Sequence, residues 1–167
     1  MALVGYGSRM THADQPTPEP ARQDLLALDQ QVCFALAVAS RNVIALYRPF
    51  LDPLGITHPQ YLVMLALWEE TPLSLVRLSR RLSLEPATVS PLLKRLQARG
   101  LITRERRPDD ERALDISLTP RGRDMRAEAE RIPPGILSTL HMGLEELEGL
   151  RDVLHRLIDA STRAETD

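Results

Sequence analysis

The segment EPATVSPLLKRLQARGLITRERRPDDERALDISLTPRG, residues 85–122, changes its hydrophobic period halfway along. Up to Arg99 the apolar residues recur at helical spacing, and Gly100 is the residue expected just after a helix C-terminus. Two short β segments follow at residues 101–105 and 113–118, separated by the loop RRPDDER. A helix followed by a β-hairpin indicates the second half of a winged helix-turn-helix.

The residues on either side supply the other helices of this domain. Residues 74–82 (SLVRLSRRL) predict a short helix with a basic outer face, and Thr57 is a good N-cap for a largely buried helix before it. Thr119 predicts the start of a further helix to about residue 131, which the pair Pro133–Pro134 should break. We therefore expect a mainly α fold with a small β-hairpin wing.

Long amphipathic helices are predicted at both ends of the chain. Apolar residues recur at helical spacing over residues 22–51, with a bend or end near Pro49, and again over residues 144–160. Apolar stripes that the rest of a chain leaves uncovered are usually covered by a second copy, so we expect a homodimer. The predicted division is a disordered tail at 1–20, an N-terminal dimerisation and sensor helix at 21–56, the winged helix-turn-helix DNA-binding domain at 57–131, and C-terminal dimerisation helices at 132–167.

Composition excludes several classes of function. The chain has 167 residues, 43% of them hydrophobic, and no apolar run approaches the roughly 20 residues that span a bilayer. Its four histidines lack ligand spacing and its one cysteine forms no cluster, so we expect neither metal nor cofactor. A single cysteine also argues against a secreted disulfide framework. We therefore expect a cytoplasmic protein without a membrane partner.

Basic residues are concentrated around the predicted reading helix. Between Arg77 and Arg107, nine basic residues stand against only Glu85 and Glu105. A rotation of about 100° per residue divides this helix into an apolar face and a small, polar, basic face, which suits the major groove of double-stranded DNA. A solvated face of a helical bundle is the alternative. The apolar face comprises Val89, Leu92, Leu93 and Leu96.

The predicted DNA contacts come from this helix and from the wing. A two-stranded ribbon with arginines at its tip fits the minor groove. Asp110 would hold a neighbouring arginine in a set direction, although a plain surface ion pair explains that aspartate equally well. Pro91 removes an internal hydrogen bond and would kink the helix. The candidate DNA-binding residues are Thr88, Ser90, Pro91, Lys94, Arg95, Arg104, Arg106, Arg107, Asp110 and Arg112.

The wing residues resemble a known family signature. The run GLITRERRPDDERALDISLTPRG is similar to the wing of the MarR (multiple antibiotic resistance regulator) family, in which D-x-R precedes L-T-x-x-G. More narrowly, VCFALAVASRNVIALYRPFLDPLGITHPQYLVMLALWE resembles the one-cysteine organic hydroperoxide resistance regulators of that family. The resemblance implies a dimeric repressor with interleaved terminal helices that binds a pseudo-palindromic operator and responds to organic hydroperoxides in oxidative stress. The matching wing residues are Asp110, Arg112, Leu118, Thr119 and Gly122.

Cys33 is the candidate redox sensor. A sensor thiol must be reachable and partly ionised, because the thiolate attacks the peroxide oxygen to give sulfenic acid. The resemblance implies that hydrogen-bond donors at the positions of Tyr47 and His58 support the sulfur. This chain departs from the family in having His58 where a tyrosine is common and Ala37 where an aromatic residue often stands. An inert, buried cysteine is the alternative.

The spacing of Cys33 and Tyr47 limits how they can meet. They lie fourteen residues apart, so on one straight helix they would point the same way but be separated by about 21 Å along its axis. A contact would therefore have to come from the other subunit. A protonated His58 would depress the thiol pKa more than a phenol could. With no second cysteine, oxidation should stop at sulfenic acid or at a mixed disulfide with a low-molecular-weight thiol.

Two further functions compete with a peroxide-sensing repressor. A thiol peroxidase would use Cys33 catalytically, but it leaves the basic helix and the wing unexplained. A ligand-responsive repressor would instead bind small aromatic anions between the dimer helices and the winged helix-turn-helix domains, as the wider family resemblance allows. We expect a regulator rather than an enzyme.

Overall fold

The computed structural model describes residue 24, residues 26–107 and residues 110–164, apart from the side chains of residues 107 and 110–113. The predicted disordered tail at residues 1–20 lies outside these residues. The chain divides after Val38 into an N-terminal unit and a larger C-terminal unit. No helix among the described residues is both long enough and apolar enough to cross a membrane.

The predicted N-terminal helix is divided, and its bounds differ from those expected. A 3-10 turn at Leu28–Gln30 precedes α1 (Val32–Leu46), and a short α2 (Arg48–Leu51) follows. The predicted bend or end near Pro49 is confirmed, because the break comes at Tyr47, two residues before that proline. Pro49 lies in the first turn of α2, where a residue without an N–H is tolerated.

The reading head forms at the predicted positions. It consists of α3 (His58–Glu69), β1 (Leu73–Ser74), α4 (Leu75–Leu82), α5 (Pro86–Ala98), β2 (Ile102–Arg107) and β3 (Asp110–Leu118). Thr57 is the N-cap of α3, where its N–H donates to Gln60 Oε1 at 2.8 Å. Gly100 follows α5 with φ +70°, the left-handed conformation that favours glycine.

The wing is larger than predicted. β1, β3 and β2 form a three-stranded antiparallel sheet in that order, so the predicted hairpin gains a third strand. The predicted loop RRPDDER is mostly strand, because β2 continues to Arg107 and β3 starts at Asp110, with a register shift between Arg106 and Arg107. Pairing extends the two strands beyond the runs rich in β-branched residues that the sequence pattern detects.

Three helices complete the chain, one of which the sequence reading missed. They are α6 (Pro120–Ala129), α7 (Ile132–Leu140) and α8 (Leu144–Ala164). Thr119 caps α6 as predicted, with its hydroxyl accepting from Gly122 N at 3.0 Å. Pro133 and Pro134 were expected only to break a helix, but they occupy the first turn of α7, where proline is tolerated.

The buried core lies in the reading head and the two helices after it. α3, α4, α5, the sheet, α6 and α7 all contribute to one cluster of buried apolar residues. In contrast, every described residue of α1 and α8 is at least partly exposed to solvent. The largest fully buried side chains include Met64, Leu67, Leu73, Leu78, Leu93, Leu96, Ile102, Ile116 and Ile132.

Candidate DNA interface and thiol site

Helix α5 presents the two faces that its sequence predicts. Val89, Leu93 and Leu96 are buried and Leu92 is half-buried, so this face joins the core. The opposite face is exposed apart from the half-buried Ser90. The division of faces is therefore confirmed, and the helix runs from Pro86 to Ala98 across Pro91. The exposed members of the candidate set are Thr88, Pro91, Lys94 and Arg95.

Fewer basic side chains are free to contact DNA than the count of charges between Arg77 and Arg107 suggests, because two arginines of α4 form ion pairs. Arg77 Nη2 lies 2.8 Å from Glu70 Oε1, and Arg81 Nη1 lies 3.3 Å from Glu70 Oε2. Arg81 also pairs with Glu69. These carboxylates stand at the end of α3, outside the window in which the charges were counted, so α4 offers less positive charge to a polyanion than the sequence indicates. The α5 face and the wing remain as the candidate DNA interface.

The wing arginines are not equivalent. In β2, Ile102, Arg104 and Arg106 share one face of the sheet, because residues two apart point the same way along a strand. Ile102 is buried, Arg104 is half-buried and Arg106 is exposed, so burial decreases away from the core. The buried Arg104 Nε finds no hydrogen-bond partner among the described residues. Arg104 thus lies at the base of the wing, whereas Arg106 lies nearer its tip.

Three candidate wing residues are described only by their backbone. Arg107 and Asp110 face each other in the ladder where β2 and β3 meet, and Arg112 lies within β3. Their side chains lie outside the described residues. The pairing of Asp110 with a neighbouring arginine therefore stays a prediction.

Cys33 lies in the first turn of α1 and is exposed. Its neighbours on the helix are exposed as well, with Val32 at 67% and Phe34 at 39% of their full accessible surface. A cysteine that fills the core of its own subunit would be enclosed by apolar side chains. The exposure of Cys33 argues against that alternative.

Tyr47 and His58, the predicted supports of the thiolate, are in contact in the C-terminal unit. Their ring centroids are 4.9 Å apart with the rings edge to face. Burial raises the pKa of Tyr47, so its phenol keeps its proton at neutral pH. Burial also lowers the pKa of His58 below its ordinary 6.5, so the imidazole is neutral. In the single chain both groups are therefore neutral hydrogen-bond donors.

The structure adds Tyr61, which lies on α3, the helix that the sequence predicts to be largely buried. Its ring centroid lies 6.0 Å from that of Tyr47 and 6.3 Å from that of Trp68. Burial raises the pKa of Tyr61, and the neighbouring Tyr47 raises it further. Because Tyr61 follows His58 by three residues on α3, helical spacing could have indicated that the two share a face.

A cleft of about 340 Å³ opens beside His58. Arg41 and Arg48 supply positive charge, Asp52 supplies one carboxylate, and Ile44, Leu51 and Ile56 supply apolar wall. Two guanidinium groups against one carboxylate in a partly apolar cleft suit a small organic anion.

Known proteins are similar to this chain in sequence and fold. The organic hydroperoxide resistance transcriptional regulator of Bacillus subtilis is 40% identical over 136 residues, covering 81% of this chain and 92% of the relative. The structure of reduced AbfR bound to DNA matches with a TM-score of 0.73 and 35% identity, covering 84% of this chain and 96% of AbfR. BpsR of Bordetella bronchiseptica, whose DNA binding is regulated by 6-hydroxynicotinic acid, matches with a TM-score of 0.67 and 27% identity, covering 78% and 95%.

The fold and its basic helix define a winged-helix DNA-binding protein. The pattern of the MarR family matches residues 56–114, and the chain belongs to the MarR family. It is a MarR-type DNA-binding transcription regulator, and regulators of this family act as dimers. The relatives and the fold are those of transcription regulators rather than enzymes, which confirms the prediction of a regulator over a thiol peroxidase.

The α5 face should dominate DNA affinity over the paired arginines of α4. Lys94→Ala and Arg95→Ala should each weaken binding to the DNA upstream of the chain's own gene by roughly 1–3 kcal/mol. Arg77→Ala is the matched control, and it should cost about 0.5 kcal/mol or less because Glu70 already neutralises that charge. Fluorescence anisotropy at several salt concentrations measures the DNA affinity of each variant. Equal losses in all three variants would show that α4 contributes as much as α5, and unchanged affinity in all three would place the interface elsewhere.

The depressed pKa of His58 can be tested by titration. The imidazole resonances of His58 should shift with a midpoint below 6.5 in the folded protein, because burial disfavours the charged form. In urea the same resonances should return to the ordinary midpoint. The unfolded chain then binds the proton more readily, so His58 lowers stability as the pH falls below about 6.5. NMR with and without urea gives the comparison, and a folded midpoint above the unfolded one would contradict it.

Proposed function

We propose that this regulator is a homodimeric repressor that releases its operator when an organic hydroperoxide oxidises Cys33. The observation that carries the proposal is the exposed thiol on a helix that lacks buried residues of its own among those described. The likeness to the Bacillus subtilis regulator supports the class of inducer. Because Cys33 is exposed, a peroxide can reach it. Because α1 would pack against the partner subunit, oxidation of Cys33 would change the packing of the dimer interface.

The proposed dimer covers apolar surface that one chain leaves in water. Five large apolar residues of α8 are exposed, including Leu144 at 61% and Ile158 at 54%. On α1 the exposed set includes Val32, Phe34, Val43 and Ile44. Burying one side chain of this size stabilises the folded assembly by about 1.5–3 kcal/mol, so packing against a second copy would stabilise both chains. Residues 21–56 and 132–167 would form the dimer, and residues 57–131 would read DNA.

The proposed sensing reaction has a simple balance. The Cys33 thiolate attacks the terminal oxygen of the hydroperoxide, an S–O bond forms, and the O–O bond breaks. The sulfur loses two electrons, and the leaving alkoxide takes a proton from solvent to become an alcohol. The product on the protein is a sulfenic acid. A low-molecular-weight thiol can then displace water from this group to give a mixed disulfide.

Donors from the partner subunit would stabilise the thiolate. Tyr47 and His58 form a contact pair of neutral donors, and hydrogen bonds to a thiolate favour its ionised form. The fourteen-residue separation of Cys33 and Tyr47 in sequence is the reason to seek this contact across the interface. Oxidation would then disturb the packing between subunits, and a small rotation of the heads changes the spacing of the two recognition helices on a pseudo-palindromic operator.

The mixed disulfide is the stronger candidate for the releasing species. AbfR has been solved bound to DNA both reduced and overoxidised, so overoxidation is compatible with DNA binding in that relative. AbfR also forms a disulfide, whereas this chain has one cysteine and no resolving thiol of its own. A small thiol would supply the missing partner and a bulkier adduct.

The cleft beside His58 favours a second candidate function. Arg41 and Arg48 could bind an aromatic carboxylate, as the regulation of BpsR by 6-hydroxynicotinic acid suggests for a relative. Such a ligand would act without oxidation. It would make the chain a ligand-responsive repressor, and Cys33 would be dispensable for release.

One gel-shift experiment separates the two candidates. Cumene hydroperoxide, with and without a small thiol, should release wild-type protein from the DNA upstream of its own gene and leave Cys33→Ser bound. An aromatic acid such as salicylate serves as the parallel inducer, with Arg48→Ala as its control. Release of Cys33→Ser by peroxide would contradict the redox proposal. Release by the acid, lost in Arg48→Ala, would favour the ligand-responsive repressor.

A further inference from the structure

Three aromatic side chains, Tyr47, Tyr61 and Trp68, form a line that starts at Tyr47 and continues along α3. Tyr61 lies between Tyr47 and Trp68, with centroid distances of 6.0 Å and 6.3 Å. Tyr61 retains only 3% of its accessible surface, although it also lines a cleft that it shares with Trp68. Aromatic rings have few rotatable bonds, and a close-packed interior passes on small displacements.

Trp68, at the end of this line, forms a hydrogen bond with helix α6. Trp68 Nε1 donates to the carbonyl oxygen of Gly122 at 2.8 Å. Gly122 lies in the first turn of α6 and packs so closely that a Cβ there would stand 2.0 Å from the carbonyl oxygen of Leu101. The Trp68 hydrogen bond therefore ends at the residue where α6 meets the start of the wing.

The same first turn is joined to the end of the recognition helix. Thr119 Oγ1 donates to the Gly100 carbonyl oxygen at 2.7 Å, and Thr119 N donates to the Leu101 carbonyl oxygen at 3.1 Å. Gly100 and Leu101 connect α5 to β2. A displacement of Trp68 thus acts on the junction between the two elements that contact DNA.

We propose that Tyr61 and Trp68 are positioning residues that couple Tyr47 to the junction of the recognition helix and the wing. The inference rests on the proposed function, because it takes the event at Tyr47 to be oxidation of the thiol that Tyr47 supports. When that event moves Tyr47, Tyr61 and Trp68 follow, and the Trp68–Gly122 hydrogen bond draws α6 and the base of the wing with it. Neither residue touches the thiol or DNA in this role.

Trp68 is the only tryptophan in the chain, so its fluorescence reports directly on this coupling. Oxidation by cumene hydroperoxide should change the emission of DNA-free wild-type protein and leave Cys33→Ser unchanged. Tyr61→Leu, which removes the middle ring, should abolish the change although the thiol oxidises at the wild-type rate. Tyr61→Phe, which keeps the ring, should restore it. A merely structural role for Tyr61 would not make the signal depend on the ring.

Operator binding supplies the second measurement. Trp68→Phe keeps a ring but removes the donor to Gly122, so it should bind the operator nearly as wild type when reduced. The change in affinity on oxidation should shrink by about tenfold. Leu65→Ala is the matched control, since Leu65 lies on the same helix and lines the same cleft as Tyr61 and Trp68 but has no aromatic ring. It should release as wild type does. If Tyr61→Leu fails to fold, Trp68→Phe alone decides.

The outcomes separate this inference from the function on which it rests. If oxidised wild type leaves the operator but its emission is unchanged, or if Trp68→Phe releases normally, the coupling is overturned while the redox repressor stands. If peroxide leaves wild type bound to its operator, the proposed function fails and the coupling fails with it. A changed emission together with retention of the operator by oxidised Trp68→Phe supports both.

Discussion

The apolar surface of α1 and α8 is the constraint on which the rest of this protein depends. Neither described helix buries a residue within its own chain, although α8 alone carries five large exposed hydrophobic side chains. The reading head, by contrast, has a core that extends from α3 to α7. In the proposed dimer, a second copy covers the terminal helices, whereas the head has a core of its own. Because Cys33 lies on α1, sensing and assembly would share one surface.

The reading head depends on local packing that the sequence makes explicit. The N-caps Thr57 and Thr119, the glycine after α5 and the two faces of α5 could all be predicted, because each follows from a few neighbouring residues. The head then positions Lys94 and Arg95 on a rigid helix whose other side is core. DNA recognition in this family requires such a rigid element, since base and phosphate contacts depend on its orientation.

What the sequence could not predict depends on contacts between distant residues. The pairing of Arg77 with Glu70 crosses from α4 to α3, and β1 exists only because Leu73 pairs with Ile116. Pro133 and Pro134 predict a break in the helix, but they lie in the first turn of α7, since proline suits both situations. Of the thiol site, Tyr47 and His58 followed from family resemblance, whereas the ring contact with Tyr61 required the fold.

A thiol supported by its partner subunit is the central claim, and mixed dimers test it most directly. One heterodimer carries Cys33→Ser on one chain and Tyr47→Phe on the other, so the remaining thiol lies on the chain without its own Tyr47. A second carries both changes on the same chain. Thiol alkylation across a range of pH measures thiolate support in each, with the Tyr47→Phe homodimer as the slow reference. We predict wild-type reactivity in the first heterodimer and slow reactivity in the second, and the reverse order would contradict a donor that crosses the interface.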